Sequence, residues 1–342
     1  MAQVLNASNT SGVYIKLEAT PGTYSAPAGT DFVASVGTPK FTPRGAGIIR
    51  RADTMTPYGG ELAAKTGGIG WDISMTTELL WNYSGETFTV NPTTLSSPLY
   101  ALFRSCPFKI TGAGDDFIFK SQAIYDIAAS RTPNAYSTST FTMVYEETPT
   151  GKRYEAEGCV CIPKFSFEAG GKLMVEWSIK GKWRPVTNSA NLVPTYTYLS
   201  PLVGTNCTMS GAQFGASTSA LAKVAYDPGF ALSDVLDARE TYGMGIAMIS
   251  LTSSPSIEVE VADLSETLQA DWTDAEANTV STTLSITVMV GPWFVIFYLN
   301  QAQLIQWPTP GESNGYRNIG LKFAGIVNTS SVSDIGGIGF EI

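Results

Sequence analysis

Short segments in which polar and apolar residues alternate, separated by turn-forming residues, recur along the chain. The segments 137–145, 152–162, 164–168 and 172–181 follow this period of two, which predicts antiparallel strands. In the last of them, four apolar side chains share one side: Leu173, Val175, Trp177 and Ile179. The residues between these segments are rich in Gly, Pro and Thr, so the region predicts a meander with one buried face.

The same order of segments recurs in the second part of the chain. The alternating segment 256–264 resembles 70–79, and each follows a glycine-containing stretch and an arginine-containing loop. A short helix is predicted in each part, at 98–105 and at 264–278. Recurrence of the same segments in the same order indicates an internal duplication.

The duplication predicts four regions. They are an N-terminal arm (1–11), a first domain (12–185), a linker rich in Asn, Thr, Ser and Pro (186–204) and a second domain (205–342). Because the two parts share little identity, two unrelated β meanders remain the alternative.

The composition favours a mainly β protein without catalytic chemistry. The 342 residues are 44% hydrophobic and only 15% charged, with 33 Gly and 19 Pro, which suits short strands better than long helices. The chain contains no histidine, which excludes a histidine-based triad, an imidazole general base and histidine metal ligands. We therefore predict no enzyme activity, no cofactor and no metal site.

The charge is unevenly distributed between the two parts. Residues 1–190 carry 17 Lys and Arg against 16 Asp and Glu, whereas residues 191–342 carry 4 against 14. A protein that binds nucleic acid specifically needs a basic face to neutralise phosphates. Sequence-specific binding of DNA or RNA is therefore not expected, although an acidic wall that lets DNA pass is compatible with this balance.

Targeting signals are not evident. Residues 1–30 are polar and lack the apolar core of a signal peptide. The most apolar window, 287–299, is interrupted by Gly291 and Pro292 and falls short of the ~20 residues that a membrane helix needs. We therefore expect the protein to be made in the cytoplasm and not to enter a membrane.

Cys159 and Cys161 lie two residues apart in a predicted strand, so their side chains face the same side. A disulfide between them would be strained, because two strand steps span ~6.6 Å. The other cysteines, Cys106 and Cys207, do not complete a zinc-binding pattern. Reduced, buried thiols are the simplest interpretation.

Several segments resemble those of one protein family. They are the opening at 14–23 with its continuation at 27–30, the Arg/Asp to Pro-Tyr-Gly-Gly stretch at 50–60, the unit 158–177 with Ala-Gly-Gly at its turn, and the proline-containing linker. In pattern and order they are similar to the siphophage-type tail tube proteins, also called major tail proteins, in a version with a duplicated domain. The resemblance covers most of the chain and includes no catalytic signature.

The resemblance implies a structural virion protein of a bacteriophage. Its fold would be mainly β, with two tandem tail-tube-type domains, each a β-sandwich or half-barrel with one short helix, that contribute strands to an inter-subunit β-barrel. Its subunits would form rings, homotrimers with pseudo-sixfold symmetry or alternatively homohexamers, that stack into the hollow viral tail tube used for DNA ejection. Expected partners are other copies of the chain, the tail terminator, tape measure and distal tail proteins, and passing double-stranded DNA without specific binding. The protein would be located in the virion tail after assembly in the host cytoplasm.

Two groups of residues are candidates for roles in such a tube. The long loop 45–68 is a candidate ring-stacking element, with Arg50, Arg51, Asp53 and Tyr58 as contact residues, because long loops in compact domains are usually functional or disordered. Acidic residues of the second part are candidates for the lumen or its rim: Glu258, Glu260 and Asp263. An ordinary solvated loop is the alternative for the first group.

A different functional class also fits the composition. A β-sandwich adhesin or carbohydrate-binding virion module would bind glycans through exposed aromatic residues and would not polymerise. A hydrolase without histidine is a third, less favoured possibility. Self-association at high concentration separates the first two classes.

Overall fold

A computed structural model describes part of the chain. The described residues are 12–45, 48–49, 65–66, 68–78, 98–106, 108–113, 116–121, 139–147, 151–195, 206–211, 221–261, 280–281, 284–290, 293–313, 316–326 and 335–341. The N-terminal arm, most of the loop 45–68 and the second predicted helix at 264–278 lie outside them.

The described residues form strands, one short α-helix and one 3-10 turn. The helix α1 (Pro98–Arg104) confirms the helix predicted at 98–105, and the 3-10 turn is Gly29–Asp31. The first strands are β1 (Gly12–Leu17), β2 (Phe32–Val33), β3 (Lys40–Gly45), β4 (Ile48–Ile49), β5 (Lys65–Thr66), β6 (Ile69–Glu78), β7 (Phe108–Ala113), β8 (Asp116–Ser121), β9 (Phe141–Glu147), β10 (Lys152–Glu168), β11 (Met174–Trp183) and β12 (Thr187–Asn188). The later strands are β13 (Asn206–Gly211), β14 (Leu221–Asp227), β15 (Phe230–Ser233), β16 (Met248–Leu251), β17 (Ser256–Val261), β18 (Val280–Ser281), β19 (Leu284–Val290), β20 (Trp293–Leu299), β21 (Ala302–Ser313), β22 (Tyr316–Gly325) and β23 (Gly336–Glu341). The protein is therefore mainly β, as its composition predicts.

Two large antiparallel sheets dominate the described structure. The main sheet follows the order β18-β21-β22-β17-β14-β10-β11-β6-β3. Strands β9 and β12 also pair with β10, β1 pairs with β9, and β2 pairs with β1. The second sheet has the order β13-β19-β20-β23-β8-β7. Each sheet combines strands from before and after the segment 186–204.

The core lies between the main sheet and the elements that cover it. The four apolar residues predicted to share one face of 172–181 are each at most 2% exposed, which confirms that alternation. The ring of Phe103, in α1, meets Trp177 edge-on at 5.2 Å, and Phe297, in the second sheet, lies 5.9 Å from Phe165. One face of the main sheet is thus covered by α1 and by the second sheet.

The long strand β10 joins both parts of the main sheet. Its first half pairs with β9 and its last four residues pair with β14. Between them, the register shifts near Gly158, whose φ of +59° is readily adopted by glycine. Segments 152–162 and 164–168 therefore form one strand with a bulge.

Strand β9 differs from the one-sided strand that its alternation predicts. Residues 141–146 are all buried, because β9 packs between β1 and β10 and is covered on both faces. Glu146, which follows the predicted segment 137–145, lies in β9 and forms an ion pair with Arg153. A half-buried arginine beside it offsets the cost of burying the Glu146 carboxylate.

The first part of the predicted linker packs against β1, β9 and β10. Residues 187–188 form β12 and pair with the start of β10. The backbone N–H of Leu192 donates to Glu146, and the carbonyl of Leu192 accepts from the Tyr14 hydroxyl at 3.0 Å. Residues 186–195 are therefore held against β1, β9 and β10.

Candidate functional site

The face of the main sheet opposite the core carries polar side chains from successive strands. Strand alternation alone places them there, since their neighbours in sequence point into the core. We call this surface the charged face. It comprises Asp72, Ser74, Thr76, Lys164, Glu168, Glu176, Ser178, Lys180, Lys223, Asp227, Glu258, Glu260 and Lys322.

Opposite charges alternate across neighbouring strands of the charged face. Lys164 on β10 lies 2.7 Å from Asp227 on β14. This hydrogen bond is the main reason that the pKa of Lys164 is raised above its ordinary value. Glu258 on β17 lies 3.9 Å from Lys322 on β22. Such exposed pairs contribute about 0–1 kcal/mol each, so they favour the register of the strands more than they stabilise the fold.

Two of the three predicted acidic residues lie on the charged face. Glu258 has an exposed carboxylate, and Glu260 accepts a hydrogen bond from Asn318 at 3.1 Å while lying 4.0 Å from Lys223. Each therefore has a lysine neighbour that offsets part of its charge. Asp263 lies outside the described residues.

A shallow concavity of about 640 Å³ opens on the charged face. Its walls are mostly polar and include Glu168, Lys223, Glu258, Gln306 and Lys322. Small-molecule sites are mostly apolar with a few polar groups, so this concavity differs from such a site. Within the described residues, no group of three or more Asp, Glu, Cys or His is placed to hold a metal ion.

Residues 234–247 of the second part fold over one end of β6 and β11, and we call this segment the clasp. Its Asp234 pairs with Arg44 and lies 2.7 Å from Lys180. Its Glu240 accepts two hydrogen bonds, at 3.0 and 3.1 Å, from Lys182. Burial lowers the pKa of Arg44 and of Lys180, because water is partly excluded from these pairs.

Backbone contacts complete the attachment of the clasp. The N–H of Ile69 donates to the carbonyl of Tyr242 at 2.8 Å. At the exposed tip, the hydrogen bonds from Arg239 lower the pKa of Asp237 to about 2. The sequence identified 237–240 only as an arginine-containing loop, because the partner of Glu240, Lys182, lies 58 residues away along the chain.

Within the described residues, the main sheet ends at β3 and at β21, the latter extended by the two-residue β18. Strand β21 exposes two large apolar side chains, Ile305 at 53% and Trp307 at 56%. Strand β3 carries Pro43, a residue found on edge strands because it cannot donate to a ladder. Open edges are a liability unless another element or chain covers them.

The main sheet repeats one strand order. In the first part, the strands lie in the sheet in the order β3, β6, β11, β10, so the third and fourth strands along the chain exchange places. In the second part, the strands lie in the order β14, β17, β22, β21, with the same exchange of the third and fourth strands. The two units meet where β10 pairs with β14.

The structure does not describe the candidate stacking residues. Arg50, Arg51, Asp53 and Tyr58 all lie outside the described residues, so their role stays a prediction. Tryptophan rings can stack on sugars. Among the described tryptophans, Trp177 is buried, Trp183 stacks on Trp71 with ring centroids 4.2 Å apart, and Trp307 is exposed.

Comparison of the chain with models of known protein families and with curated proteins yields no match. Among the described helices, none has both the length and the hydropathy that crossing a bilayer requires. The functional conclusion therefore depends on the geometry of the main sheet and on the resemblance in sequence.

Proposed function

We propose that the protein is a structural subunit of a bacteriophage tail tube, whose rings stack into the conduit for DNA ejection. The observation that supports this most is the repeated four-strand unit of the main sheet. Within one chain, β10 lies at the outer edge of the first unit and pairs with β14, which lies at the near edge of the second unit. If two copies of the chain join through the same kind of strand pairing, β21 of one copy pairs with β3 of the next.

The directions of the strands are compatible with pairing between β21 of one copy and β3 of the next. Every neighbouring pair on the path from β3 to β21 is antiparallel, and the path has eight strands. With an even number of alternating strands, β21 runs opposite to β3. Pairing them between copies continues the antiparallel pattern and covers both open edges.

The dimensions of a closed ring also suit a DNA conduit. Three copies supply eight strands each, and at ~4.8 Å spacing and ~40° tilt such a barrel has a backbone diameter of roughly 48 Å. The core face of the sheet is covered by α1 and the second sheet, so the charged face would line the lumen. Such a lumen is wide enough for duplex DNA.

The chemistry of the charged face suits passage rather than binding. Its lysines alternate with carboxylates, as in the Lys164–Asp227 and Lys322–Glu258 pairs, so it offers DNA no continuous basic track. Specific binding would need clustered Lys and Arg. In the same proposal, the tape measure protein occupies this lumen before ejection, and the terminator and distal tail proteins cap the tube ends.

Electron microscopy of the purified protein over a concentration series tests the proposal. We expect hollow rods with a regular axial repeat, and end-on views that count the subunits in a ring. A double variant, Ile305→Lys with Trp307→Lys, should remain dispersed, whereas Met248→Lys, at a residue 58% exposed and outside the main sheet, should still polymerise. Wild-type protein that stays dispersed at every concentration would contradict the proposal.

The stacking loop has its own test. Deletion of residues 55–60 should leave soluble protein that cannot form rods, because contacts between rings are removed. Rods of normal length from this variant would refute the role of the loop.

The second candidate function is a carbohydrate-binding or adhesin module of a virion. The observation that favours it is the exposed indole of Trp307, since exposed aromatic rings stack on sugars. Binding on a glycan array that is lost in Trp307→Ala, from protein that does not form rods, would support this function instead.

A further inference from the structure

We propose that Cys106 and Cys161 are a latent disulfide site, which hydrogen peroxide converts into a covalent link between the end of α1 and β10. Cys106 follows α1 by two residues and Cys161 lies within β10. Their Sγ atoms are 3.5 Å apart, which is van der Waals contact. A disulfide needs a separation of about 2.05 Å, so the two sulfurs must approach by roughly 1.5 Å.

The surroundings already bring both thiols to one point. Each Sγ donates to the same carbonyl, that of Leu102 in α1, at 3.1 Å. The Ser105 hydroxyl lies 3.2 Å from the Cys161 Sγ. Because both thiols converge on a shared acceptor, side-chain rotation is a shorter route to a bond than movement of either element.

Cys159 provides a contrast within the same strand. A methyl group built on Gly181 of β11 would lie 2.6 Å from the Cys159 Sγ, so this sulfur faces β11. Cys159 is as deeply buried as Cys161. The two cysteines therefore differ in their neighbours and not in their burial.

Hydrogen peroxide is the only oxidant that formation of the disulfide needs. One thiol reduces hydrogen peroxide to water and becomes a sulfenic acid, and the second thiol attacks that sulfur, forms the S–S bond and releases a second water. Two thiols and one peroxide thus give one disulfide and two waters. Burial raises the pKa of Cys106 well above its ordinary value, which keeps the reactive thiolate scarce, so the reaction should be slow at neutral pH and faster at higher pH.

Peptide mapping of the intact chain tests the site. After exposure to peroxide and digestion with trypsin without reductant, the peptides 105–109 and 154–164 should be recovered as one species, lighter by two hydrogens than their sum. Titration of unfolded protein should find two of the four thiols lost. The thermal unfolding midpoint should rise by a few degrees without reductant, because the link closes a long loop.

Matched variants assign the link. Cys159→Ala should still form it, and Cys161→Ala should not, with thermal unfolding before oxidation showing that both variants fold. If Cys161→Ala is unfolded, fragmentation of the linked wild-type peptides between residues 159 and 161 makes the assignment. Four free thiols after oxidation, a link through Cys159 or Cys207, or sulfonic acids without a link would each overturn the proposal.

Discussion

Glu18 connects three separate segments of the first part, and its replacement by glutamine tests that role. Glu18 is 7% exposed, and its carboxylate accepts hydrogen bonds from the N–H groups of Gly22 and Gly158, each at 2.8 Å. It also accepts from the hydroxyls of Thr140 and Thr142 in and beside β9. Four donors around one carboxylate leave no position for the two N–H donors of a glutamine amide.

The cost of Glu18→Gln follows from which donors lose an acceptor. The amide NH₂ is best placed toward Gly22 and Thr140, because the N–H of Gly22 has a second acceptor in the Thr140 hydroxyl at 3.0 Å. The other orientation would leave the buried N–H of Gly158 without this acceptor. Hydrogen bonds to a charged group are stronger by about 1 kcal/mol than neutral ones, so losing the charge and one bond should cost about 2–3 kcal/mol.

Urea unfolding followed by tryptophan fluorescence measures this cost. We expect Glu18→Gln to lower the unfolding midpoint, corresponding to a shift of the folding equilibrium of roughly 30- to 150-fold. The control is Glu176→Gln on the charged face, which is exposed and should change stability by less than about 0.5 kcal/mol. Equal midpoints for the two variants would refute the reasoning.

Three further predictions concern strand packing, the clasp and the charged face. Gly181→Ala should lose about 1–3 kcal/mol in calorimetric unfolding, since the added methyl meets a cysteine sulfur at 2.6 Å, while Gly320→Ala, whose nearest neighbour is at 3.8 Å, should be near neutral. Lys182→Met should cost about 2–3 kcal/mol, because the mostly buried ammonium pairs with the clasp carboxylate; an unchanged melting midpoint would show that the clasp is not held by this lysine. Glu258→Lys combined with Glu260→Lys should leave rod assembly intact and slow DNA exit from virions, as measured by dye-detected ejection, and an unchanged exit rate would contradict a lumen position.

Hydrogen bonds explain the residue pattern of the segment near the start of the chain that resembles tail tube proteins. Lys16, Glu18 and Gly22 stand in the segment that resembles tail tube proteins. Lys16 donates to the carbonyl of Ala26 at 3.0 Å, and Glu18 binds the N–H of Gly22. The spacing of these residues therefore supports the folding of the segment 16–26.

The sequence by itself determined the local elements. The alternation of 172–181 depends on the two-residue period of one strand, and it predicted which side chains are buried. The α-helix at 98–104 and the repeated order of segments were likewise visible along the chain. The strand and the helix each depend on residues close in sequence, and the repeat is recognised by comparing such local patterns.

Only the tertiary structure decided how those elements combine. The pairing of β10 with β14, the burial of both faces of β9, and the contact of Cys106 with Cys161 all join residues more than 50 positions apart or depend on packing by several segments. The clasp is the clearest case, because Glu240 and Lys182 each look like a solvated surface charge in sequence. A periodic pattern specifies which side of a strand is apolar, whereas the choice of neighbouring strand is made by the packing of the whole sheet.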